Sequence, residues 1–130
     1  MNWSPIPASW SAPLLSVLRI VAGLLFFAHG VSKILAYPPA PFPVEGLSLM
    51  AGYFELIFGA LIIFGLFTRI SAFLMSGQMA IAYWLVHFAM GPLPVANNGD
   101  ASILFCFIFL YIAAAGPGPW SIDAARSKTP

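Results

Sequence analysis

Six residues of this chain have side chains suited to moving protons at a buried site: His29, Lys33, Glu55, Tyr83, His87 and Asp100. Imidazole titrates near neutrality, and a buried carboxylate between a lysine and two histidines can exchange a proton with them. A quinone-type or other small redox substrate needs that chemistry, with a proton donor at each carbonyl oxygen and an apolar slot for the ring. The same residues also permit a purely structural reading. Lys33 then pairs with Glu55 or Asp100, and the histidines hydrogen-bond between helices without enclosing a substrate.

All six lie in or at the ends of four apolar segments, near residues 14–36, 47–67, 70–90 and 100–115. A helix needs ~20 apolar residues to cross the hydrocarbon core. The first segment carries Arg19, His29 and Lys33, and a basic residue near the bilayer centre costs roughly 2.5–3.5 kcal/mol, so these should face protein or water. At about 100° per residue, Arg19, Gly23, Phe26, Gly30 and Lys33 form one stripe with His29 on its flank. In the second segment Glu55 shares a face with Gly52 and Gly59, which predicts a close helix contact around a buried carboxylate. The third aligns Ser76, Ala80, Tyr83 and His87. The fourth is short for a span, and Asp100 opens it on the face of Tyr111. Its Cys106 lies off that face and reads as a packing residue.

The connections agree with this division. Four prolines in YPPAPFPVE, residues 37–45, forbid regular structure, and residues 91–99 are turn chemistry throughout. In the tail, residues 117–130, Ser121 is placed to cap a short surface helix with Asp123 in its first turn.

With 61% hydrophobic and 7% charged residues, against the ~25% charged of a soluble domain, the chain reads as all-α: a single-domain integral membrane protein folded as an antiparallel four-helix bundle. The lipid bilayer is its first partner. A formal net charge of +1 without a basic run excludes nucleic acid. The lone Cys106 excludes an internal disulfide, a dithiol motif and a cysteine metal site, and no metal is expected. Residues 1–13 lack a basic n-region and run into a long span, so they are expected to be retained, with Trp3 and Trp10 as interface anchors. Arg69, Arg126 and Lys128 lie on the side of both termini, with Arg19 near it, and only Lys33 lies opposite. The positive-inside rule therefore predicts cytoplasmic termini in an inner membrane. The six candidate residues then belong to the outer half. Arg19 and Arg69 form an inner layer, expected to be structural and to pair with helix C-terminal carbonyls, lipid headgroups or Asp123.

Three strings, LRIVAGLLFFAHGVSKIL, ELIFGALIIFGLFTR and NNGDASILFCFIFLYIAAAGPGPWSID, occur in that order over nearly the whole chain. They resemble the DoxX family of small four-helix bacterial membrane proteins. The most specific matches are HGxxK from His29 to Lys33, the segment from Glu55 to Arg69, and GPGxxSxD from Gly116 to Asp123. At the start of the fourth segment the family usually has glutamate, where this chain has the shorter Asp100. The resemblance implies a redox-linked membrane subunit or anchor with a quinone or thiol-derived substrate at the outer cluster; a soluble or peripheral oxidoreductase is a further candidate partner, which a scaffold would place at the membrane. The chain has no dinucleotide-binding glycine pattern and no iron–sulfur cysteines, so electrons would come from elsewhere. No covalently bound cofactor is expected. Bis-histidine haem between His29 and His87 is the weaker reading, because lone histidines are usually hydrogen-bonded network members. Two other classes remain open: a non-catalytic scaffold, and a small-solute or proton transporter, for which a homo-oligomer could supply the pore.

Overall fold

The computed structural model describes residues 3–127, so Lys128 lies outside the described residues. Helix α1, Ser11–Leu35, is entered through a 3-10 turn, Ala8–Trp10. It is followed by α2, Leu47–Phe64, and α3, Thr68–Ala82. Beyond α3 the chain continues as a π-helical turn, Tyr83–His87, and a 3-10 turn, Phe88–Met90. Then come α4, Pro94–Asn97, α5, Asp100–Ala115, and α6, Ile122–Ser127. No strand occurs among the described residues. Three helical stretches are long and apolar enough to cross a membrane, Ala8–Leu35, Leu47–Phe64 and Thr68–Met90, while α5 is shorter.

Several boundaries differ from the periodicity reading, each for a local reason. The second helix stops at Phe64 because Gly65 turns left-handed at φ 69°. There the N–H of Leu66 bonds the carbonyl of Leu61 and that of Gly65 the carbonyl of Ile62, closing the last turn. A side chain at Gly65 would also collide with Ser121 Cβ. The third helix widens into a π turn at Tyr83, and within residues 91–99 Pro94 starts the single turn of α4, where its missing N–H costs nothing. Ser121 caps α6 as expected, its hydroxyl accepting from the N–H of Ala124 at 3.0 Å.

Helices α1 and α2 pack antiparallel through glycine. A Cβ on Gly30 would lie 2.8 Å from the Leu56 nitrogen and 2.9 Å from the Gly52 oxygen, so at this crossing the two backbones touch. Further along, Gly59 meets Phe27 and Gly23 meets Ile62 and Ile63. Helix α3 packs on α5, and Ser76 Oγ donates to the Cys106 carbonyl at 2.7 Å. The buried core joins Ala22 and Phe26 from α1, Ile62 from α2, Ala72, Met75 and Met79 from α3, and Phe109 and Ile112 from α5; Cys106 packs against it. Phe26 meets Phe109 edge to face at 5.2 Å between centroids. The exterior is apolar too: Leu24 is 51%, Ile57 59% and Phe107 63% exposed. Such a surface needs lipid around it.

One end of the molecule is a polar collar that ties the tail to the helices. Arg19 is fully buried and donates to four carbonyls: Ile62 at 2.9 Å, Ile63 at 3.4 Å, Trp120 at 2.7 Å, and Pro117. The first two belong to the last turn of α2, whose carbonyl end attracts a cation. Arg69 does the same for α5, donating to Ala113 and Ala114 at 3.1 and 2.5 Å. Asp123 accepts from the N–H groups of Phe67 and Thr68 at 3.0 and 2.8 Å, so it caps α3 from 55 residues away. Partial burial opposes its charge. The Thr68 N–H, the nearby Thr68 hydroxyl, the Phe67 N–H and the Arg126 charge outweigh that and hold the carboxyl below its ordinary value. The hydroxyl acts through proximity alone, as it forms no hydrogen bond of good geometry.

Candidate functional site

At the other end of the α1–α2 contact, Lys33 Nζ lies 2.9 Å from both carboxylate oxygens of Glu55. It is the single ion pair among the described residues. Gly52 makes the pairing possible, because any side chain there would press on Lys33 Cβ and Ile34. Glu55 is 2% exposed and Lys33 16%. Gln78, from α3, adds a third group by donating Nε2–H to Glu55 Oε2 at 3.1 Å. Facing the carboxylate with its NH₂ group fixes the amide, since the reverse orientation would set two acceptors together. Gln78 Oε1 is thereby left buried with no hydrogen-bond partner. Gln78 was not among the residues singled out from the sequence, because it falls off the stripe of Ser76, Ala80, Tyr83 and His87. Its signal was its type, an amide in an apolar span.

Tyr83 and His87 belong to a second network, organised by Asn97. Asn97 is buried, donates to the Gly91 carbonyl at 2.8 Å and to Tyr83 Oη at 3.4 Å, and accepts from the Gly99 N–H at 2.9 Å. His87 Nδ1 bonds the Asn97 carbonyl at 2.9 Å. A carbonyl only accepts, so Nδ1 carries the hydrogen. The π turn brings the Tyr83 and His87 rings near-parallel at 6.4 Å, and these residues fasten the loop between α3 and α5.

His29 and Asp100 correct the expectation of one inward-facing set of six. His29 is exposed and spends its Nδ1 hydrogen on the Leu25 carbonyl of its own helix at 2.7 Å. Its place on the flank of the α1 stripe turns it outward, past Phe26 and Gly30. Asp100 is exposed because α5 buries Ser102, Phe109 and Ile112, a face away from Asp100 and Tyr111. The candidates therefore separate into the trio of Lys33, Glu55 and Gln78, the loop network of Tyr83, His87 and Asn97, and two surface residues. The groove at the tail collar and the groove between α1 and α5 are not lined by the trio.

A carboxylate inside an apolar helical array, neutralised by a lysine of the neighbouring span, defines the chain as a multi-span membrane protein with a polar centre. It belongs to the DoxX family, whose sequence profile matches residues 14–88. It is similar to an uncharacterised protein of Haemophilus influenzae, 38% identical over 117 residues that cover 84% of this chain and 87% of the relative. It is also similar to an uncharacterised membrane protein of Mycobacterium tuberculosis, 28% identical over 149 aligned residues, covering 98% and 90% respectively. No solved structure matches the chain significantly.

Proposed function

We propose that this protein is the membrane subunit or anchor of a redox system, an antiparallel four-helix transmembrane bundle in the bacterial inner membrane with both termini cytoplasmic. Its substrate is a small quinone-type or thiol-derived molecule taken up beside Glu55 in the outer half. The observation that supports this reading is the unpartnered Oε1 of Gln78, next to a carboxylate already held by Lys33. A buried acceptor without a partner favours a ligand that brings a donor. The hydroxyl of a hydroquinone meets that need, whereas the carbonyl of a quinone does not. The chain's own part is to bind and orient the reduced form and to exchange protons at Glu55, while electrons pass to a soluble or peripheral oxidoreductase.

Binding of a short-chain hydroquinone to the purified protein, followed by quenching of tryptophan fluorescence, tests the reading. Glu55→Gln and Gln78→Leu should each weaken binding at least tenfold with the helical circular dichroism unchanged, and the oxidised quinone should bind more weakly than the hydroquinone. Equal binding by wild type and both variants sinks it. The saturation of Glu55 by Lys33 and Gln78 favours a second reading, a non-catalytic scaffold, under which neither form binds and the trio serves only to join α1, α2 and α3.

A further inference from the structure

The groove at the tail collar, with a volume of about 640 Å³, is open at the surface and lined by the α2–α3 turn, the start of α3, the 117–119 turn and α6. Arg69 lies in its wall. That guanidinium gives its Nη1 hydrogens to Ala113 and Ala114, which neutralises no charge, and no carboxylate among the described residues lies within ion-pair distance of it. Three of its five N–H donors, on Nε and Nη2, remain unassigned. The carbonyls of α5 hold the group in place, and Gly116 lets it lie close against the backbone, where a Cβ would sit 2.9 Å from Nη2. A cation fixed in this way is preorganised for a planar, two-point contact with an oxyanion. Exposed apolar groups stand around it: Phe67 and Ile70 on the groove wall, with Trp120 and Ile122 on the same end of the molecule. Tryptophan and basic side chains together mark the headgroup level of a bilayer.

We propose that this groove binds a glycerophospholipid, with its phosphodiester on Arg69 and its glycerol and upper acyl chains along Phe67, Ile70 and Ala124. Asp123 also lines the groove, but its carboxylate is spent on the N–H groups of Phe67 and Thr68 and is offset by Arg126, which lies over the Phe67 ring. Arg69 is left to match the single negative charge of that ligand beside an apolar trough. A free phosphate would satisfy Arg69 but leave the trough empty. The lipid locks the α2–α3 turn to the tail, so its loss should loosen the collar without opening the Lys33–Glu55 end.

Lipid retention tests this on the full chain purified in mild detergent, by native mass spectrometry and by thermal unfolding after delipidation. Wild type should keep one phospholipid per chain through washing, and adding phosphatidylglycerol to the delipidated protein should restore the lost thermal stability. Arg69→Gln, which retains donors for the α5 carbonyls but not the charge, should keep no lipid and show no such recovery. Arg69→Lys should keep part of both. Ala124→Phe, which fills the trough and leaves Arg69 in place, should also lose the lipid. Each comparison is made against the same variant delipidated, so a general loss of stability is not mistaken for loss of binding. Retention of lipid by Arg69→Gln at the wild-type ratio overturns the proposal. So does full recovery of the delipidated protein by millimolar inorganic phosphate or by phosphate-free diacylglycerol.

Discussion

Lys33 reaches across the α1–α2 contact to hold both oxygens of Glu55 at 2.9 Å, at the place where Gly52 lets the two helices meet. Removing one partner of a buried pair strands the other and costs roughly 3–5 kcal/mol, whereas replacing both with apolar groups is often neutral. Glu55→Leu should therefore lower the unfolding temperature sharply in detergent micelles. The double variant Lys33→Met, Glu55→Leu should recover most of the loss. If the double variant is as unstable as the sum of the singles, the pair is not the unit that matters.

Two glycines give opposite expectations for the same substitution. Gly30→Ala places a methyl against the backbone of Leu56 and Gly52, where neither side can yield, and should destabilise by about 1–3 kcal/mol. A Cβ on Gly77 meets nothing within 4 Å, so Gly77→Ala should be neutral or stabilising by about 0.5–1 kcal/mol, the ordinary helix advantage of alanine. Thermal unfolding of the two variants side by side checks both.

Arg19 serves four carbonyls with one planar group, which an ammonium cannot copy. Arg19→Lys should lose at least two of these charge-assisted bonds, at about 1.5–3 kcal/mol each. The tail should then detach first, so limited proteolysis should cut around residues 116–121 in the variant before it cuts wild type. Equal rates of cleavage there would show that Arg19 does not hold the tail.

The Asp123 cap carries a pH dependence. Its carboxyl is held below the ordinary value of about 3.9, so its contribution is fully present above that pH and is lost as pH falls through the depressed folded-state value. Asp123→Ala should cost about 0.5–2 kcal/mol at neutral pH through loss of the α3 cap. The difference from wild type should shrink in strong acid. A difference independent of pH would mean that the carboxylate charge has no part in the cap.

Much of the architecture was legible because one physical rule governs it: charges must leave lipid, and small residues mark where helices touch. The stripe of Arg19, Gly23, Phe26 and Gly30 on α1 is buried as its 100° spacing requires, and Gly52, Glu55 and Gly59 on α2 all face it. Asp100 stands in the first turn of α5, where a carboxylate suits the helix dipole, and Ser121 caps α6 by a hydrogen bond, both at the positions their local chemistry predicts. Terminal carbonyls are one of the three partners open to Arg19 and Arg69 in the sequence, beside lipid headgroups and Asp123, and both side chains donate to them. Those features depend on neighbours a few residues apart, or on one strong preference of one side chain.

What the chain order could not settle was which polar residues meet. On a helical wheel Lys33 and His29 lie only about 40° apart, and that small difference separates Lys33, turned to Glu55, from His29, turned outward four residues earlier. Chain order puts Asp100 in the same outer half as Lys33 and Glu55, but the face that α5 buries is chosen by Ser102, Phe109 and Ile112. The π turn at Tyr83 rotates the end of the third span and delivers His87 to Asn97, and no periodic pattern announces it. Gln78 enters the site only because α3 crosses α2 beside Glu55. The sequence by itself determined the helices, their apolar exterior and the need to neutralise Glu55. Only tertiary packing decided which partners do so, because that choice rests on the relative rotation of three helices and not on the periodicity of any one of them.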